Sequence, residues 1–321
     1  MRRAYLFLAA GLFAFLTTIV TAPAQSWPQR PVRFIVGQGA GSAQDIGARL
    51  FGGELSKRWG QPVVIENRPG ADGMTAIMGF TSARDDYTLL FAASGGFAAH
   101  PVLHAHLPYD INDLVPITRI STTVIAIAVP TALKVDTLAE LVALARAQPG
   151  KLNFAPTPGT VEITFDNFLK TSGISMAKIP YADITKSVID LGENRIQVVI
   201  AAIAVVKSQV EAGKVKVLAI TNLKRAPFAP ELPTAIEAGY PALGLDGLVG
   251  LFGPRGLPAG VVERIAADAE AVAAEPGIAE RLAGTGQVID PAGPKVFAAA
   301  VEAQRKNILA TAKALGFRPV D

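Results

Sequence analysis

The chain has 321 residues, half of them hydrophobic, with 30 Lys and Arg against 27 Asp and Glu. Such apolar content argues against disorder, and the length allows two domains with cores of their own. A near-neutral body without a basic cluster argues against nucleic acid, and the absence of cysteine excludes disulfides and a cysteine-linked lipid.

Arg2 and Arg3 precede a run from Ala4 to Val20 that is apolar or small except at Thr17 and Thr18, and Ala22-Pro23-Ala24 stands before Gln25. That order is the order of a secretory signal peptide. A membrane anchor is the alternative, but the run is marginal against the ~20 residues a bilayer requires. The A-x-A site favours cleavage near Ala24. Residues 1–24 are therefore expected to be a signal peptide that sends the rest to a periplasm. Without Arg2 and Arg3 the balance is 28 basic against 27 acidic residues.

After the leader, short β-rich runs alternate with longer amphipathic ones. Val32–Val36 reads as a strand. Residues 43–59 read as a helix, with Ile46, Leu50, Phe51, Leu55 and Trp59 on one stripe. Strands follow at 63–65 and 88–92, and a long β-branched run occupies 120–129. Thr137 and Glu140 form a capping box that opens a helix to about Ala147. Strands at 152–155, 177–180, 196–201 and 215–220 alternate with helices at 161–171, 185–191 and 205–212, the last closed by Gly213. A strand is expected at 245–252, and residues 258–316 read as mostly helical. Alternation of this kind implies α/β architecture with parallel sheets. Two such units suggest two lobes around a cleft, with one crossing near 120–129 and the return at 239–247.

Several strand-to-helix turns could hold a ligand. Gly37 through Asp45 follows the first strand with glycines, the hydroxyl of Ser42 and a helix start, a combination suited to an anion. An empty βα turn explains the same residues equally well. A dinucleotide fingerprint would need a glycine where Ser42 stands, so no nucleotide cofactor is expected. Ser94, Gly95 and Gly96 end another strand, and Thr157 through Thr160 take the corresponding place in the second unit. Pro180-Tyr181-Ala182-Asp183 is a fourth candidate. His100, His104 and His106 have a spacing that could suit a metal, but without a supporting Cys or carboxylate set they read as surface or cleft-lining residues. No G-x-S-x-G, Walker A or H-E-x-x-H motif is present.

The order of motifs resembles the substrate-binding proteins of tripartite tricarboxylate transporters, the Bordetella uptake gene (Bug) family. The resemblance runs through Trp27-Pro28, Arg30–Arg33, Gly41–Asp45 and Ala48-Arg49. It is most specific across Gly60–Val64, Glu66–Ala71 and Gly73. It continues in Tyr87–Leu90, Leu107–Asp110, Pro149–Asn153, Pro180-Tyr181, Ala212–Lys214, Leu232–Thr234, Glu237–Gly239 and Leu251-Phe252.

What the resemblance implies is an α/β, two-lobed type II periplasmic binding protein with a hinge of crossing strands. Lobe 1 would comprise 25–124 and 243–321, and lobe 2 would comprise 125–242. The chain would be a monomeric receptor, not an enzyme, capturing a small carboxylate for a two-component membrane permease, without cofactor or metal. The ligand would meet Gln38, Gly39, Ala40, Gly41, Ser42, Asp45, Ser94, Gly95, Gly96 and His100 in the first lobe. In the second it would meet Thr157, Gly159, Thr160, Tyr181, Asp183, Ala201 and Ala202. The chain departs from the family's pattern where Ala182-Asp183 replaces Lys-Gly, where Ala201-Ala202 replaces Asp-Asn, and where His100 replaces Asn. Those changes favour one carboxylate on an apolar or aromatic body. A sensor docking on a membrane receptor would share this fold and ligand chemistry, and a periplasmic α/β enzyme is the further alternative.

Overall fold

The computed structural model describes residues 27–181 and 183–319; the expected signal peptide and Ala182 lie outside them. Among the described residues no helix is long and apolar enough to cross a membrane. The first sheet is laid down by β1 (Val32–Val36), α1 (Ala43–Trp59), β2 (Val63–Asn67), α2 (Met74–Ala83), β3 (Thr88–Ala93), α3 (Ser94–Leu103) and β4 (Val115–Thr123). The chain then builds a second sheet from β5 (Ile125–Pro130), α4 (Leu138–Ala147), β6 (Asn153–Pro156), α5 (Thr160–Ser172) and β7 (Ala177–Lys178). The same sheet is completed by α6 (Ile184–Gly192), β8 (Val198–Ala202), α7 (Ile203–Glu211) and β9 (Val215–Ile220). It returns through β10 (Gly247–Gly253), α8 (Ala259–Ala273), α9 (Ile278–Ala283), β11 (Gln287–Ala292) and α10 (Pro294–Leu315).

The strand order is β11-β4-β10-β3-β1-β2 in the first sheet and β7-β6-β8-β5-β9 in the second. β1 pairs in parallel with β2 and β3, and β6 pairs in parallel with β7 and β8. The sheets are nevertheless mixed and not wholly parallel. β10 runs antiparallel to both β3 and β4, and β5 runs antiparallel to both β8 and β9. β10 and β5 enter their sheets by crossing from the other one, with no helix laid back over the sheet first; β11, reached through α8 and α9, is also reversed and pairs antiparallel with β4.

Local chemistry sets the element ends. Ser42 Oγ accepts from Asp45 N to start α1, and Gly60 in the left-handed region ends it. Thr137 Oγ1 accepts from Glu140 N, while Glu140 reaches back to Asp136 N. Both faces of each sheet are covered, so β1 and β8 are nearly all buried. Phe34, Phe91 and Trp59 fill one side of the first sheet, and Ile35, Phe252 and Phe297 fill the other. Ile127, Phe154 and Phe165 pack one side of the second sheet, with Ala128, Leu191 and Val199 on its reverse.

The apolar run at 120–129 is two strands, not one. It breaks at Val124, whose N–H donates to Gly286 O and whose carbonyl accepts from Ile203 N. Thr123 thus closes the first sheet and Ile125 opens the second. β11 lies inside the stretch expected to be mostly helical, because Val288 and Ile289 pair with Thr122 and Ser121 of β4. A small apolar cluster joins the two halves: Ala99 and Val102 of α3, Ile163 of α5, and Ile308 and Ala312 of α10. Lys170 Nζ also donates to Ala314 O at 2.7 Å.

Candidate functional site

The first turns of two helices, one from each half, adjoin in the gap between the sheets. α3 begins directly at the end of β3, and α5 begins four residues after β6. Neither has a side-chain cap. Their first-turn N–H groups are therefore available, and each helix end has a partial positive charge. The approach is close. A Cβ on Gly95 would stand 2.8 Å from Thr160 Oγ1, and one on Gly96 would stand 3.1 Å from Asp72 O. Gly159 holds φ at +89°, a region that suits glycine, and the open space there is bounded by Asp72 Oδ2 and Ala99. Loops of the two halves thus meet where Gly95 faces the Thr160 side chain and Gly159 faces those of Asp72 and Ala99, while the Gly96–Asp72 approach lies within the first half.

Not every helix start is open. Ser42 Oγ and Asp183 Oδ1 cap α1 and α6. The first amide of α7, on Ile203, is taken by Val124 O. α2 and α7 also lack a side-chain cap, but α3 and α5 are the uncapped pair whose first turns, one from each half, are in contact.

The expected site residues divide by what their side chains do. Gln38, Gly39, Ala40 and Gly41 form an exposed turn, and Gln38 O accepts from Asn67 Nδ2. Asp45 braces that turn from below: its carboxylate accepts from Gly41 N, Arg49 Nε and Asn67 Nδ2. Burial opposes its charge, but these hydrogen bonds outweigh burial and hold the carboxyl below the usual aspartate range. Ser94 is buried with its Oγ 2.5 Å from Gln304 Oε1, and Gln304 Nε2 donates to Asp246 O. Thr157 Oγ1 donates to Ile200 O, while Thr160 is buried against Gly95. Tyr181 Oη donates to Asp190 Oδ2, and burial followed by that bond pushes the phenol up to about 12. Asp183 accepts from Thr185 N and Oγ1, which hold its carboxyl low. Ala201 is buried in the second core and Ala202 is half-buried at the start of α7.

His100 differs from the surface or cleft-lining residue the sequence suggested. It is fully buried, with Nδ1 2.6 Å from Tyr109 Oη and Nε2 3.2 Å from Asp72 O. It sits on the inward face of α3 behind Gly96, so it shapes the 70–73 loop from within.

Sequence reasoning passed over three residues that organise the gap. Asp72 places a carboxylate there. Gln304 ties α10 to both Ser94 and the return crossing. Asn222 is almost buried at the crossings themselves: Oδ1 accepts from Ile125 N and Nδ2 donates to Thr123 O. Each partner lies far away in sequence, so no local spacing announces them.

Residues 48–304 match the model of the tripartite tricarboxylate transporter family receptor. The chain belongs to that family. A UPF0065 protein of Bordetella bronchiseptica is 31% identical over 281 residues, covering 86% of this chain and 82% of that protein. Protein BugT of Bordetella pertussis is 30% identical over 263 residues, covering 80% of each. Among solved structures, an R. palustris protein with adipate superposes with a TM-score of 0.79 at 28% identity, covering 92% of this chain and all of that one. The periplasmic binding protein BugD gives 0.75 at 26% identity, with coverage of 92% and 100%. The two-lobed type II binding-protein fold expected from the sequence is therefore the fold of this chain.

Proposed function

We propose that this family member is a periplasmic receptor that captures a small carboxylate between its two lobes and presents it to a two-component membrane permease. The observation that carries this reading is the adjoining, uncapped pair of helix N-termini at Ser94–Gly96 and Gly159–Val161, one from each lobe. A carboxylate placed there accepts from backbone N–H groups of both helices, the arrangement helix ends offer to anions. The R. palustris relative solved with adipate supports carboxylate as the ligand class.

The lobes divide at 124/125 and 242/243, and the leader is removed near Ala24. Binding is one-to-one on a monomer. Ligand contact with both lobes stabilises the approached state, and opening occurs about Val124, Gly286 and Asn222, where the crossing strands share hydrogen bonds. Ala202 is half-buried and presents a methyl group in place of a polar side chain at the end of β8, which favours an apolar or aromatic body with one carboxylate, whereas Ala201 is taken up in the core behind it.

A thermal-shift panel of mono-, di- and tricarboxylates on the purified protein tests the reading, with neutral amides of the same acids as controls. A ligand that binds only the folded chain raises the midpoint, by about 2.7 kcal/mol of stability at a hundred times its Kd. A rise with a carboxylate and none with its amide is the expected result. Equal responses to acid and amide, or none to any acid, would refute it.

A further inference from the structure

The loops that converge on the gap contain carboxylates and no cation. Residues 38–45, 70–73, 94–96 and 157–160, with Tyr181 and Asp183, include Asp45, Asp72 and Asp183 but neither Lys nor Arg. Two of these carboxylates are already engaged. Asp45 is buried against Arg49 at 3.0 Å, and Asp183 caps α6.

Asp72 is not engaged in that way. Its side chain is 46% exposed, and Oδ2 lies 3.6 Å from His100 Nε2 and 3.6 Å from where a Cβ on Gly159 would sit. Its backbone is anchored on the inner side, because Asp72 O faces His100 Nε2 at 3.2 Å and the ring behind it is held by Tyr109. Gly70 through Gly73 all hold positive φ, including Ala71 at 46° and Asp72 at 52°. The chain therefore adopts an unusual backbone that puts this carboxylate at the seam between the lobes, beside the amides of α3 and α5.

We propose that Asp72 is a charge filter, which admits a ligand with one carboxylate and disfavours a second. The inference rests on the carboxylate-receptor reading and adds the feature that selects within it. The first carboxylate has the amides of two helices. A second has no cation in these loops and shares a narrow gap with a fixed negative charge. Like charges roughly 7–10 Å apart, at an effective dielectric of about 20, weaken binding by about tenfold or more. The methyl of the half-buried Ala202 reinforces the same choice, since it offers nothing to a second acid group.

Calorimetric titration of hexanoate and adipate, which differ by one carboxylate on the same chain length, tests the filter. Both are titrated into wild type and Asp72→Asn at low and high salt. Asn tolerates the left-handed region well, so the variant keeps the loop, and circular dichroism checks its fold. Expected is a fall of about tenfold or more in the adipate-to-hexanoate Kd ratio in Asp72→Asn, with both acids binding more tightly and adipate gaining more, and a partial fall in wild type at high salt. Adipate binding that appears only in the variant would also support the filter. An unchanged ratio would overturn it, as would failure of both acids to bind either protein while another carboxylate is found by the panel. Those two results leave the receptor reading standing, whereas an empty panel removes both.

Discussion

Gly95→Ala probes the approach of the lobes with a single methyl group. The new Cβ would lie 2.8 Å from Thr160 Oγ1, well inside ordinary contact, and Thr160 is itself buried. Overpacking of this kind costs roughly 1–3 kcal/mol. Gly95 belongs to α3 of the first lobe and Thr160 to α5 of the second, so the cost falls on the approached state alone. Within its own helix alanine is the better residue, by up to about 1 kcal/mol. The free protein, able to open slightly, is expected to keep its unfolding midpoint. Ligand affinity is expected to fall by roughly five- to 150-fold, the same 1–3 kcal/mol expressed as a ratio. Titration calorimetry with a carboxylate found by the panel measures this. The double variant Gly95→Ala/Thr160→Ala removes the opposing oxygen and is expected to recover most of the loss. Affinity within twofold of wild type in Gly95→Ala would refute the idea that these two loops close on the ligand.

Other substitutions separate structural from ligand roles. Asp45→Asn removes a carboxylate whose folded value is held below the ordinary aspartate range. A depressed carboxyl stabilises above its unfolded value and loses that contribution as pH falls through the folded one. Chemical denaturation is therefore expected to find Asp45→Asn weaker than wild type at neutral pH, with the difference closing below about pH 4; a constant difference would count against the network. Asp183→Ala is expected to cost about 1 kcal/mol as a lost cap of α6, with carboxylate affinity changed less than threefold. A larger loss of affinity would return Asp183 to the binding surface. Ile163→Ala empties part of the apolar cluster shared by α3, α5 and α10 and is expected to lower stability by about 2–5 kcal/mol, read as a fall in the denaturant midpoint.

The sequence was most legible where the governing interactions are local. The capping box at Thr137, the stop at Gly213 and the glycine-rich turns after strands all act within a few residues, and each appears where the pattern put it, whereas Ser42, read as a ligand donor, is the cap of α1. The mixed sheets were not legible, because strand direction depends on which sheet a strand enters. Nor was the break at Val124, whose partners are Gly286 and Ile203. β11 was hidden in an Ala-rich helical stretch, since its pairing to β4 spans well over a hundred residues.

The candidate loops were legible in the sequence, but the partners of their side chains were not. Asp45, Ser94, Tyr181 and Asp183 have the chemistry of ligand donors or acceptors, yet Arg49, Gln304, Asp190 and Thr185 already engage them. Histidine spacing likewise gave no hint that His100 would be buried beneath a carbonyl 28 residues upstream. Asp72 escaped notice because an acid in the stretch Gly70-Ala71-Asp72-Gly73 reads as a surface turn.

Backbone amide NMR during titration with a carboxylate tests the central claim most directly. The largest shift changes are expected at the amides of Gly95, Gly96, Thr160 and Val161, which begin α3 and α5. Saturating shifts confined to other parts of the molecule, with those four amides unmoved, would contradict it.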